Sequence, residues 1–125
     1  MCFTASHEPS GYRCPFCALL HVENLYDLEA DDSRAVWQLT QQTAIALRAA
    51  YGCDGTSIRQ HNEPAGGQDV WHLHVHVFPR WSGDELYRRD AEASWVSAKE
   101  RERYAARLRA QLGLPFAVDA QPPAR

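Results

Sequence analysis

Residues 70–80 read VWHLHVHVFPR, with His72, His74 and His76 at every second position and Leu73, Val75 and Val77 between them. Half of the six histidines of the chain stand in this one stretch. A neutral imidazole carries a lone pair on one ring nitrogen and a proton on the other, so it can act as nucleophile, as general acid or base, or as metal ligand. Thr, Lys or Glu would solubilise a strand face without any of that chemistry. On a regular strand, alternation puts the three histidines on one face and Trp71, Leu73, Val75 and Val77 on the other, predicting an apolar face turned to the core and a histidine face lining a cleft. His-x-His on a strand could equally present two imidazoles to one ion. An edge strand with outward polar residues is the plainest alternative.

The elements that must hold these histidines follow an α+β pattern. Over residues 33–51, Val36, Leu39, Thr43, Leu47 and Ala50 recur at helical spacing and Gly52 supplies a stop, which predicts a central amphipathic helix. GTSIRQH, residues 55–61, is short, partly β-branched and bounded by turn residues, so it reads as a strand. The loop NEPAGG then returns the chain into the histidine strand, which Pro79 closes, and the pair forms an antiparallel hairpin. Ser97 and Glu100 have the spacing of a capping box; behind them Tyr104, Leu108 and Leu112 lie four apart and Gly113 ends a C-terminal helix. The expected fold is an antiparallel sheet with a central amphipathic helix and a C-terminal helix.

At 125 residues this is the material of one domain, and 45% hydrophobic with 23% charged residues is an ordinary globular composition. A formal net charge of -3 argues against broad nucleic-acid binding, so a phosphate ligand must be held by a few local donors. No apolar run reaches membrane-spanning length, and MCFTASHEPSGYRC lacks the layout of a secretory signal, so a cytoplasmic protein is expected. There Cys2, Cys14, Cys17 and Cys53 would stay reduced, and Cys14 and Cys17, in CPFC, read as metal ligands or a redox pair.

GGQDVWHLHVHVFPR resembles the signature of the histidine-triad family, HNEPAGGQ is similar to that family's Asn-containing phosphate loop, and VFPRWSGD resembles most its fragile-histidine-triad and bacterial dinucleoside polyphosphate hydrolase branch. The resemblance implies a small α+β domain, commonly a homodimer, that hydrolyses or transfers nucleotidyl groups through a nucleotidyl-histidine intermediate. It makes His74 the nucleophile, with a backbone carbonyl on its other ring nitrogen to fix the tautomer. His72 and His76 would orient it and donate to the phosphoryl oxygens, and Gln68 would add an amide donor. His61, Asn62, Gly66, Gly67, Gln68 and His76 would contact the nucleotide, the two glycines by cradling an anion with their amides. Asp69 stands where a hydroxyl residue is common. Arg80 could partner a phosphate, but an exposed strand-end arginine is the expected reading.

Nearer the N-terminus, YRCPFCALL is similar to the family's Cys-x-x-Cys start and HVENLYDLEADD to the segment that leads into its central helix. Here the two are joined directly, at Leu20 and His21, so a strand pair that carries much of the base pocket is expected to be absent. The fold would be a shortened histidine-triad domain over residues 14–113, with an N-terminal arm (1–13) and a C-terminal tail (114–125). In zinc-bearing relatives the ligands match Cys14, Cys17, His21 and His72, a set suited to tetrahedral zinc. Two functions stay open: a nucleotide hydrolase or transferase acting on a nucleotide or dinucleoside polyphosphate, or a catalytically impaired, zinc-stabilised nucleotide-binding relative.

Overall fold

The first turn of the long helix α1, Ala30–Tyr51, carries Asp31 and Asp32 at its electropositive end and its last turn carries Arg48 at the electronegative one. These acids let the helix start at Ala30, three residues ahead of the expected start at residue 33. It ends where Gly52 takes φ 63° and its amide donates to the Arg48 carbonyl at 2.9 Å. The computed structural model describes residues 6–14, 21–88 and 94–114. The chain forms two compact units, Met1–Gln41 with Ile58–Val77 and Gln42–Ser57 with Phe78–Arg125. Among the described residues, no helix is long and apolar enough to cross a membrane.

Strands β1, Gly55–Arg59, and β2, His76–Arg80, pair in an antiparallel two-stranded sheet. The expected α+β architecture holds, but the histidine strand is shorter than its alternation predicts. Of the three histidines His76 alone lies in β2. At residues 70–72 the backbone bends, with the His72 amide donating to the Val70 carbonyl at 2.8 Å, and the Leu73 amide donates to the Val22 carbonyl at 2.6 Å instead of to a sheet partner. β1 ends at Arg59, two residues short of the expected His61, which leaves residues 70–75 without a ladder to join. Pro79 does not close β2 but sits inside it. A two-stranded sheet has only edge strands, where a missing N–H costs nothing if it faces away from the partner.

Among the described residues of the second unit, the buried side chains are Ala46, Leu47, Ala50 and Cys53. The buried positions of α1 differ from the expected face: Leu39 is 58% exposed, while Ala46 is buried. Helix α2, Ala98–Leu112, has the expected capping box, with the Ser97 amide donating to Glu100 Oε2 at 2.9 Å and the Glu100 amide to Ser97 Oγ at 3.2 Å, and Gly113 ends it in a left-handed conformation. It is fastened to the end of α1 through Tyr51, whose hydroxyl donates to the Tyr104 carbonyl at 2.6 Å, and through Arg107, which donates to the Ala50 carbonyl and stands over the Tyr51 ring.

Arg80 is not an exposed strand end. Its guanidinium forms a two-point bond with the Asp84 carboxylate (2.8 and 2.6 Å), donates to Ser57 Oγ at 2.9 Å and lies 4.8 Å from the centre of the Tyr87 ring. The Trp81 and Leu86 amides donate to the same carboxylate. The Arg80 hydrogen bond first, and then the amides, hold the Asp84 carboxyl well below the usual carboxylate range. A depressed folded-state value means stability that is fully present above the unfolded-state value of about 3.8 and is lost as the pH falls below it. The melting temperature of the wild-type chain should exceed that of an Asp84→Asn variant at pH 6, and the gap should shrink steadily below pH 4. A gap unchanged down to pH 2 would assign the loop's stability to other contacts.

Candidate active site and metal centre

The buried side chains of the first unit, among the described residues, are all polar: Asn24, Thr40 and Gln68. Thr40 satisfies its hydroxyl by donating back to the Val36 carbonyl at 2.8 Å. Gln68 holds the loop over residues 61–68 in place. Its Nε2 donates to the Glu23 carbonyl at 2.6 Å and the Val70 carbonyl at 3.1 Å, and its Oε1 accepts from the Glu63 amide at 2.7 Å. Both amide protons of Gln68 are thus given to backbone. Asn62 is similarly engaged: Oδ1 accepts from the Leu25 amide and from Gln60, and Nδ2 donates to Gln60 Oε1.

The loop these side chains pin is strained. Glu63 takes φ 62°, ψ 164°, a conformation essentially reserved for glycine and costing on the order of 1–3 kcal/mol. It persists because the Glu63 carbonyl accepts from the Gly66 and Gln68 amides, each at 3.0 Å, while its own amide is held by Gln68. The Gly67 amide donates to the Pro64 carbonyl at 3.0 Å. The glycine amides expected to cradle an anion are therefore donated inside the turn. Gly67 is required for a different reason: φ is 83°, and a Cβ there would stand 3.4 Å from His61 Nδ1. That imidazole donates from Nδ1 to the Gly67 carbonyl at 2.9 Å.

The three histidines divide into two groups. His74 Nδ1 lies 2.7 Å from the His72 carbonyl. A carbonyl only accepts, so the proton of the neutral ring is on Nδ1 and the lone pair on Nε2. His74 and His76 meet edge to face with ring centres 4.9 Å apart. Burial, then the neighbouring His74, Arg59 and His61, push the His76 imidazole below its ordinary value, with Asp69 opposing. His72 turns instead toward Cys14 and His21. Its Nδ1 is 3.2 Å from Cys14 Sγ and its ring meets that of His21 edge to face at 5.2 Å. Burial, then the two neighbouring histidines His21 and His74, lower the His72 value. Both shifts favour neutral imidazoles with a lone pair at neutral pH.

Ligand atoms of Cys14, His21 and His72 all lie within 4.8 Å of one another. Bonds of about 2.3 Å to sulfur and about 2.0 Å to nitrogen put ligand atoms about 3.5 Å apart around a tetrahedral zinc, so this donor set fits the ion with a small closure. Cys17, the remaining expected ligand, and most of the junction at Leu20 and His21 lie outside the described residues. Behind the histidines, Leu73 and Val75 line an apolar cleft of about 200 Å³ together with Leu25, Leu28, Trp37 and Ile58.

Sequence reasoning missed a set of contacts made by residues 6–14. Ser6 Oγ and the His7 amide donate to the Glu23 carboxylate (2.7 and 2.9 Å), Glu8 pairs with His21 Nε2, and the Trp71 amide donates to the Tyr12 hydroxyl at 3.2 Å. No spacing in the sequence signals them, because every partner is distant along the chain.

Fold and site together define an α+β domain organised around a histidine triad beside a Cys/His cluster. The chain belongs to the HIT domain family, whose family model matches residues 16–83. It is 28% identical over 86 residues to the bifunctional bis(5'-adenosyl)-triphosphatase/adenylylsulfatase FHIT of Arabidopsis thaliana, a match covering 69% of this chain and 47% of that protein. Among solved structures it resembles a Hit-like protein from Bartonella henselae (30% identity, TM-score 0.65, 74% of this chain and 64% of the other). A Zn-bound histidine triad family protein from Mycobacterium smegmatis is also similar (30% identity, TM-score 0.61, 75% and 63%). The chain spans about half the length of the curated relatives it matches.

Proposed function

We propose that this chain is a nucleotide hydrolase or nucleotidyl transferase that cleaves phosphoanhydride or phosphoramidate bonds, a dinucleoside polyphosphate being the first substrate class to test. The observation that carries the reading is the bond from His74 Nδ1 to the His72 carbonyl, which aims a lone pair at Nε2. His74 Nε2 attacks the phosphorus bearing the nucleoside; a P–N bond forms as the P–O bond to the leaving phosphate breaks, and the leaving oxygen takes up a proton. Water then attacks the same phosphorus, the P–N bond breaks, and the nucleoside monophosphate departs. His76, and His72 through its Nε2, donate hydrogen bonds to the phosphoryl oxygens where charge accumulates. Loop 61–68, with His61, Asn62, Gly66, Gly67 and Gln68, forms the wall against which the nucleotide rests.

Names among the relatives support this reading: one is a bis(5'-adenosyl)-triphosphatase, the class of activity proposed here. Incubating the protein with an α-labelled adenosine polyphosphate should trap an acid-labile, base-stable adduct on His74. A second reading, a nucleotide-binding relative without turnover, draws on the internal engagement of the Gly66, Gly67 and Gln68 donors. It predicts nucleotide binding with no adduct.

Cys14, Cys17, His21 and His72 would hold a structural zinc, which supplies folding free energy by cross-linking segments far apart in sequence. His72 faces Cys14 through Nδ1, and the donation to the phosphoryl group proposed above would come from the other nitrogen of the same ring. Purified protein should contain about one zinc per chain, and chelation, or Cys14→Ser with Cys17→Ser, should lower the melting temperature markedly. Metal-free protein whose melting is indifferent to both would leave His72 a purely catalytic role. A homodimer is the assembly proposed, to be checked by sedimentation.

A further inference from the structure

We propose that Glu8 is a positioning residue for the metal centre, the carboxylate that holds His21 in the tautomer and orientation a metal needs. This rests on the zinc reading above. A ligating histidine has two ring nitrogens, and the partner of the outer one decides which tautomer faces the ion; a carboxylate in that place fixes the ring and raises its basicity. Here Glu8 takes His21 Nε2, which leaves Nδ1 as the lone-pair nitrogen. The Glu8 and His21 side chains keep 31% and 35% exposure, on residues that are exposed as a whole, so water reaches the pair but does not surround it.

The carboxylate is not a chance neighbour, because the backbone around it is fastened on both sides. Ser6 Oγ and the His7 amide are bound by Glu23, and the Glu8 amide donates to Ser6 Oγ at 3.2 Å. Further on, Tyr12 accepts from the Trp71 amide and Cys14 reaches His72. Glu23 and His21 belong to one short segment, and Trp71 and His72 to another. Residues 6–14 therefore act as a strap that ties the segment bearing His21 to the one bearing His72, with Glu8 at the point where the strap meets a ligand.

Glu8→Ala and Glu8→Gln separate this role from its alternatives. Glutamine keeps an oxygen that can accept from Nε2–H but loses the charge; alanine loses both. In zinc competition against a chromogenic chelator, Glu8→Ala should bind zinc about 10–100-fold more weakly than wild type, and Glu8→Gln should fall in between. Long-range 15N NMR of the metal-free proteins should show His21 as the Nε2–H tautomer in wild type and Glu8→Gln, and as a mixture in Glu8→Ala. Wild type that binds zinc while Glu8→Ala stays within twofold of it overturns the role of Glu8 but leaves the zinc site standing. Wild type that binds no zinc overturns the site and the role together. Equal losses in both variants, with an altered ligand-field spectrum of the cobalt-substituted protein, would overturn positioning in favour of direct ligation.

Discussion

His74→Asn should lower turnover of an adenosine polyphosphate on the order of 10⁴-fold, equivalent to about 5.4 kcal/mol of transition-state stabilisation. The asparagine amide can still donate to the His72 carbonyl, as Nδ1 does now at 2.7 Å, so the local backbone has no reason to move. What disappears is the nucleophilic nitrogen. Nucleotide binding should therefore survive with little change while the covalent adduct vanishes, and the comparison of kcat with the dissociation constant separates the two. A variant whose kcat stays within tenfold of wild type would mean that phosphorus is attacked by something other than His74, and the two-step mechanism would have to be given up.

Gln68→Leu should cost about 3 kcal/mol of folding stability. The side chain is 5% exposed and serves three backbone groups, the Glu63 amide and the Glu23 and Val70 carbonyls. Leucine fills similar volume and leaves those groups without their partner, each worth roughly 1–3 kcal/mol when buried; partial rehydration sets the total near the lower end of their sum. The loop would also lose the amide contact that holds Glu63 at φ 62°. Against a typical stability of about 5–15 kcal/mol this is a large fraction. Urea denaturation measures it directly, and a loss under 1 kcal/mol would show that the loop is held mainly by its own turn hydrogen bonds.

Much of the architecture can be read from local signals because those signals act locally. The capping box at Ser97 and Glu100, the glycine stops at Gly52 and Gly113, and the helical period of α1 each depend on residues within a turn or two of one another. Where the reading failed, a distant partner decided. Alternation suggested one long histidine strand, but a strand exists only where a second backbone is there to accept its hydrogen bonds. The Leu73 amide bonds to Val22, about fifty residues away, instead of to β1. Arg80 looked like a solvated strand end because Asp84, Ser57 and Tyr87 reach it only once the turn after β2 has formed.

The same division runs through the site. The sequence by itself determined which residues can do chemistry: His72, His74 and His76 in alternation, the loop before them and Cys14 in its CPFC spacing, since residue type and spacing set chemical capacity; His21 entered only through the resemblance to the family. Only the tertiary structure decided how that capacity is shared out. It sets the His74 tautomer through the His72 carbonyl, turns His72 toward Cys14 and His21, and gives both amide protons of Gln68 to backbone carbonyls. It also brings Glu8 to His21. These are choices of direction and partner for side chains, fixed by hydrogen bonds between residues far apart along the chain, and spacing along a sequence carries no information about direction in space.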